Sequence, residues 1–290
     1  MGRTLDSCAA FLDVDSFGRP SQNLATPIRQ RPSRMRIFVA SLPRLTGLLA
    51  LVVVSACSAD SPMDPLGANF AKGGHKPPPP PPPAPTHDPI LFVHGLNASS
   101  STWTTMYSRF QNDGWSTSEL VNWSYDYTKS NATTASLISK KVDSILKATG
   151  AAKVDIITHS MGAMSARYYV RNLGGDGKVD ALVTLGGANH GTTTASLCSF
   201  IWVSCTEMLP GSTFLANLNS IDESWGTPRY GAWWSPCDEV INPLSSAQLS
   251  GGAFDQETAC LQHSDLHEDP TVYAQVRDFV NVAPVLAVSP

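Results

Sequence analysis

The chain has 290 residues, 42% of them hydrophobic and 15% charged, enough apolar material for one large domain or two small ones. Charge divides unevenly. Residues 1–56 hold seven arginines against three aspartates, whereas the remainder holds thirteen Lys and Arg against twenty-one Asp and Glu, a net of −8 with His neutral. An acidic body without a cluster of Lys and Arg excludes a nucleic-acid partner, because binding phosphates takes clustered cations.

Residues 1–34 precede a second methionine, Met35, that would serve as a start. They are expected to be a disordered extension or a misplaced start. Residues 35–57 read as an export signal: Arg34 and Arg36 open it, Leu45 to Val54 carries no charge, and small residues close it. Its apolar core is shorter than the roughly 20 residues a membrane-spanning helix takes. The tetrapeptide Val54-Ser55-Ala56-Cys57 resembles the lipobox of bacterial lipoproteins, which implies lipidation of Cys57, an exported protein and attachment to a membrane. Ordinary cleavage nearby is the alternative. Residues 58–87 form a Pro-rich linker. Seven consecutive prolines, Pro77 to Pro83, have no amide to donate and favour an extended polyproline II tether of about 3.1 Å per residue.

From Asp88 to the C-terminus (88–290) the chain alternates apolar runs with amphipathic stretches and reads as one domain. PILFV (89–93) is a buried strand. A helix is expected over 102–114, with Trp103, Met106, Tyr107 and Phe110 at helical spacing, and a strand over 119–125. Residues 131–150 are a helix whose face is Leu137, Ile138, Val142, Ile145 and Leu146, ended by Gly150. A strand (153–159), a helix (160–174) and a further strand (178–187) follow. This alternation predicts an α/β fold, a mostly parallel sheet flanked by helices on both faces. Sites in such sheets form at the carboxyl ends of the strands.

Ser160 lies at such an end. Thr158-His159-Ser160-Met161-Gly162 matches the nucleophile-elbow pattern G-x-S-x-G except at its first position. A sharp strand-to-helix turn would push the serine oxygen above the sheet and aim the first helical N–H groups at it. A simple helix N-cap is the competing reading of the same serine. His94-Gly95-Leu96 closes the first strand, so the amides of Leu96 and Met161 are candidates for a two-donor oxyanion hole, with His94 structural. A serine nucleophile needs a base and the base an orienting acid. His263, on a loop before the last helix, is favoured as base over His267, which is expected on the solvent side, and over His190, which is expected to shape the rim. Asp238, on the loop after a strand ending at Ser235, is favoured as acid over Asp222, Glu223, Asp255 and Asp265. Four cysteines allow three pairings. Cys198–Cys205 and Cys237–Cys260 are preferred, because a contact between Asp238 and His263 would bring the last two cysteines together. LCSFIWVSC (197–205) is apolar for a surface loop and reads either as a flap over an acyl site or as core packing. The other six tryptophans are expected mostly in the core. No His/Cys/Asp group has metal-ligand spacing, and no cofactor is expected.

PILFVHGL, THSMG, KVDALVTLGGANHGT, CTEMLPGSTFLANLN and CLQHSDL, in that order, resemble the small bacterial lipases called lipase class 2, of the α/β-hydrolase superfamily, over roughly residues 88–280. The resemblance implies an α/β-hydrolase fold with a minimal or small cap, and hydrolysis of triacylglycerols or other carboxylic esters. It implies Ser160 as nucleophile, Asp238 as orienting acid, His263 as base, and Leu96 and Met161 as oxyanion donors. A lipid or ester substrate and a monomer are expected. Another serine hydrolase on the same scaffold, such as a phospholipase or a polyester depolymerase, is the nearest alternative, and a non-catalytic surface lipoprotein the next.

Overall fold

A computed structural model describes residues 86–282; the export signal, Cys57, Cys8 and all but the end of the linker lie outside them. Thr86 and His87, the last residues of the expected linker, belong to the folded edge. Their amides donate to Glu119, and the His87 ring stacks on Trp115 with centroids 4.0 Å apart.

Six strands build one parallel sheet in the order β2-β1-β3-β4-β5-β6. They are β1 (Ile90–Val93), β2 (Leu120–Val121), β3 (Val154–His159), β4 (Val179–Leu185), β5 (Arg229–Trp234) and β6 (Phe254–Glu257). The helices are α1 (Thr104–Asn112), α2 (Asn131–Thr149), α3 (Gly162–Asn172), α4 (Val203–Glu207), α5 (Thr213–Leu218) and α6 (Pro270–Val280). Successive side chains of a strand point to opposite faces, and β1 divides accordingly. Ile90 and Phe92 pack with Trp103, Met106 and Phe110 near α1 and with Val272 and Val276 of α6. Leu91 and Val93 pack with Ile138 and Val142 of α2 and with Ala166 and Tyr169 of α3. Burial on both faces is why the central strands are largely apolar. Strand order reverses between β1 and β3, since β2 lies on one side of β1 and β3 on the other. A crevice therefore opens at their carboxyl ends.

Two strands differ from expectation. Only Leu120 and Val121 of 119–125 pair with β1. Beyond them Asn122 turns to donate to the Ser100 carbonyl, and Tyr125 turns back so that its amide donates to His94 Nε2 and its hydroxyl to the His94 carbonyl. β6 is absent from the sequence reading because its residues, Phe-Asp-Gln-Glu, are mostly exposed at the sheet edge and carry no apolar alternation. The tryptophans also divide differently: Trp103, Trp115 and Trp233 are buried, Trp123, Trp202 and Trp234 are only partly so, and Trp225 is exposed. Among the described residues no helix is long and apolar enough to cross a membrane.

At the amino ends of the strands Asp88, Asp155 and Asp180 bring carboxylate oxygens within 4.8 Å of one another. Because these residues are far apart in the chain, no local spacing announces the cluster. Its charge is opposed from within the protein: Arg229 lies 2.7 Å and Lys153 3.6 Å from Asp180. Burial, then the charge of Asp180, pushes Asp88 up to about 6, and burial holds Asp155 well above the usual carboxylate range. For Asp88 the folded value lies above the unfolded one. The folded state therefore keeps the proton longer, and stability is lost as pH rises through the folded value. Asp88→Asn should flatten the fall in melting temperature between about pH 4 and about pH 6. A slope left unchanged by the substitution would contradict this account.

Candidate active site

β3 ends at His159, and Ser160 stands on the turn into α3 with φ +56°. A left-handed conformation costs a non-glycine residue of order 1–3 kcal/mol and persists only where its surroundings enforce it. Here three backbone bonds do so. The Ser160 amide donates to the Leu185 carbonyl (3.0 Å), and its own carbonyl accepts from Ala163 and Ala188 (3.2 Å each). Thr158, where the elbow pattern has glycine, fits because its side chain leaves the turn: the hydroxyl, fully buried, donates to the Val183 carbonyl of β4 at 2.8 Å. Glycine is needed at two neighbouring points. A Cβ on Gly162 would lie 2.6 Å from the His94 carbonyl oxygen and 2.7 Å from that of Val93, and one on Gly95 would lie 2.7 Å from Ser160 Cβ. These close approaches bring the end of β1 against the turn. The amides of Leu96 and Met161 donate to no acceptor among the described residues, and Leu96 lines the same cavity as Ser160.

His94 is spoken for. It is fully buried and stacks on Tyr125 (4.0 Å), its Nδ1 donates to the Gly95 carbonyl (2.9 Å), and its Nε2 accepts from the Tyr125 amide (3.3 Å). Burial lowers its pKa.

Asp238 follows β5, and His263 opens a 3-10 turn before α6. The Asp238 Oδ1 accepts from the amides of Val240 and Ile241, both at 2.9 Å, which leaves Oδ2 to accept from His263 Nδ1 at 2.8 Å. Both side chains are buried. Cys237–Cys260 joins the two loops with Cα atoms 5.0 Å apart, and Cys198–Cys205 closes the apolar loop, so both preferred pairings are present. Ser160 and His263 face one cavity of about 620 Å³, which also touches Leu96, Tyr127, Met208 and Val240. No hydrogen bond joins Ser160 Oγ to His263 in this structure.

The competing residues sit elsewhere, or sit differently than expected. His267 turns inward rather than to solvent: its side chain is 12% exposed, lines the cavity and packs near Trp103 and His159. Burial lowers its pKa. Trp103 and His159 give it an apolar, aromatic bed that sequence proximity to Glu268 and Asp269 conceals. His190 does not shape the cavity rim. It pairs with Glu223 at 2.8 Å, and Glu223 also accepts from the Ser250 amide, so that acid serves a structural bond rather than a solvated loop. Asp255 lies on β6 itself. In the apolar loop Phe200 is 81% and Ile201 61% exposed, which removes the core-packing alternative, while Trp202 meets Tyr127 edge-on at the cavity wall. His159 and Glu239, both adjacent to candidate residues and both in contact with His263, escaped the sequence reading. Their side chains only acquire meaning once the loops meet.

Residues 87–281 match the family model described as Lipase (class 2). Among solved structures, the mature form of the Bacillus licheniformis lipase BlEst2 is similar with a TM-score of 0.60 at 17% identity, covering 69% of this chain and 94% of that one. Aspergillus fumigatus lipase B gives 0.58 at 14% identity, covering 68% of this chain and 53% of that one. The Legionella pneumophila phospholipase PlaB gives 0.52 at 16% identity, over 66% and 59%. These structures share the fold: a parallel sheet with flanking helices.

The turn around Ser160 depends on a missing side chain. Gly162→Ala places a methyl against two backbone oxygens that cannot swing aside, and it should cost about 1–3 kcal/mol. A chemical denaturation midpoint equal to that of the unsubstituted protein would refute the close approach.

Proposed function

The chain belongs to the class 2 lipases, and from that premise we propose that it hydrolyses carboxylic esters through Ser160, His263 and Asp238. Asp238 holds the proton of His263 on Nδ1 and so presents Nε2 as the base. As Ser160 Oγ attacks the ester carbonyl, Nε2 takes its proton. The carbonyl carbon becomes tetrahedral, and its oxygen gathers negative charge opposite the unpartnered amides of Leu96 and Met161. Such donors act where charge develops, and each typically contributes about 3–4 kcal/mol to the transition state. His263 then protonates the departing alcohol, leaving the acyl group on Ser160. Water repeats the attack with His263 again as base, which releases the acid and restores the serine. The single observation that carries the reading is the buried 2.8 Å bond from His263 Nδ1 to Asp238, facing the cavity that holds Ser160.

The cavity favours an uncharged ester. Glu268 is on its wall and would repel an anionic headgroup, which sets a neutral acylglycerol ahead of a phospholipid. The acyl chain is assigned to the side bearing Met208, Tyr127 and the disulfide-closed loop, where Trp202 meets Tyr127 and Phe200 and Ile201 stand exposed. The two disulfides support an oxidising, extracellular setting. Export through residues 35–57, lipidation at Cys57 and a proline tether would place the domain beside a membrane.

Ser160→Ala should abolish turnover of p-nitrophenyl esters and labelling by a fluorophosphonate; retention of either refutes the nucleophile. Asp238→Asn should lower kcat by roughly 10⁴-fold by misdirecting the imidazole. Trp202→Ser should reduce activity on long-chain esters more than on short ones, and an identical chain-length profile would remove this loop from the acyl site.

A further inference from the structure

The backbone of His263 is gripped at both ends. Its amide donates to Glu239 Oε2 at 3.0 Å, and its carbonyl oxygen lies 3.0 Å from His159 Nε2. Glu239 follows Asp238, and His159 precedes Ser160. Each neighbour of a proposed catalytic residue therefore holds the peptide that bears the proposed base. The two imidazole rings of His159 and His263 also pack together, with centroids 4.4 Å apart.

A carbonyl oxygen only accepts, so the proton of this bond sits on His159 Nε2. The ring is buried at the end of β3. Burial first, then the neighbouring His263 and His267, holds its pKa well below the ordinary histidine value. Its state is the neutral Nε2–H imidazole.

We propose that His159 is a positioning residue for ester hydrolysis: its Nε2–H bond to the His263 carbonyl sets the distance between the Ser160 hydroxyl and the His263 ring. This rests on the Ser160 and His263 roles given above. The logic is geometric. β3 fixes His159 and Ser160 as consecutive residues, whereas His263 arrives on a loop 104 residues further along the chain than His159. The bond to Asp238 orients the ring within that loop, but it does not register the loop against β3. His159 supplies that register through a single rigid side chain. A displacement of about 1 Å between reacting groups can cost 10²-fold in rate.

Two amide substitutions of different reach test this. The amide nitrogen of Gln overlays Nε2 and can still meet the His263 carbonyl; that of Asn overlays Nδ1 and cannot. His159 itself lines the cavity, so the split between the two variants is the readout: His159→Gln should keep kcat within about threefold, whereas His159→Asn should lower kcat about tenfold or more, a larger change than in KM. Equal kcat in the two variants overturns the proposal, whether both are active or both impaired. The wild-type protein provides a reading independent of either variant's folding. ¹⁵N NMR of the histidine rings should find His159 neutral with its proton on Nε2, and a proton on Nδ1 instead overturns the proposal. Ser160→Ala separates the two levels of argument. Turnover surviving in Ser160→Ala refutes the catalytic assignment, whereas an inactive Ser160→Ala beside a fully active His159→Asn refutes the positioning role alone.

Discussion

The site depends on a buried hydrogen bond between two loops, from His263 Nδ1 to Asp238. A polar pair taken out of water is costly unless its remaining donors and acceptors are met. Asp238 is met: one oxygen takes two backbone amides from its own loop, so the carboxylate cannot rotate away, and the other is left for the imidazole. The Cys237–Cys260 bridge closes a 23-residue separation beside this bond. A loop of that length contributes roughly 3 kcal/mol by restricting the unfolded chain. The covalent link and the hydrogen bond constrain the same two loops, so each lowers the entropy the other must overcome.

The second constraint is the turn at Ser160. A non-glycine residue in a left-handed conformation is unfavourable, yet it directs the hydroxyl out of the sheet and the first amides of α3 toward the same space. Bonds to Leu185, Ala163 and Ala188 hold it there, and the bare faces of Gly95 and Gly162 let the end of β1 approach. The strain is local and is borne by the two most buried strands of the sheet. This explains why the elbow follows β3, at the centre, and not an edge strand such as β2 or β6.

Much of this was legible in the sequence, for identifiable reasons. Largely apolar runs marked β1, β3 and β4, because strands buried on both faces favour apolar side chains, and Gly150 marked the end of α2, where the chain indeed turns left-handed at φ +71°. Ser160, Asp238 and His263 lie on the turn after β3 and on the loops that follow β5 and β6, the places chain order singles out, and the structure brings the last two into contact. What stayed hidden depends on tertiary surroundings. β6 has no apolar alternation because its side chains are mostly exposed at the sheet edge. The inward turn of His267 is set by Trp103 and His159, and the pairing of His190 with Glu223 spans 33 residues. None of these leaves a local pattern for a sequence reading to find.

The apolar loop between Cys198 and Cys205 is exposed for a reason that lies in its anchorage. Exposed Phe200 and Ile201 are unfavourable in water, so something must keep them from folding back. The disulfide limits the loop to a short closed arc. At its far end Glu207 reaches the start of α2, where its carboxylate accepts from the Ser130 hydroxyl (2.5 Å) and from the amide (2.6 Å) and side chain (2.9 Å) of Asn131. A carboxylate at a helix N-terminus is favoured by the helix dipole, which fixes the loop's base to a helix that is itself packed on the sheet. Held at both ends, the loop cannot bring Phe200 or Ile201 to the core, whose nearest positions are already filled by Met208, Leu215 and Ala195. Their exposure is therefore a consequence of how the loop is anchored, and the loop meets the Ser160 cavity through Trp202, which packs on the lining residue Tyr127.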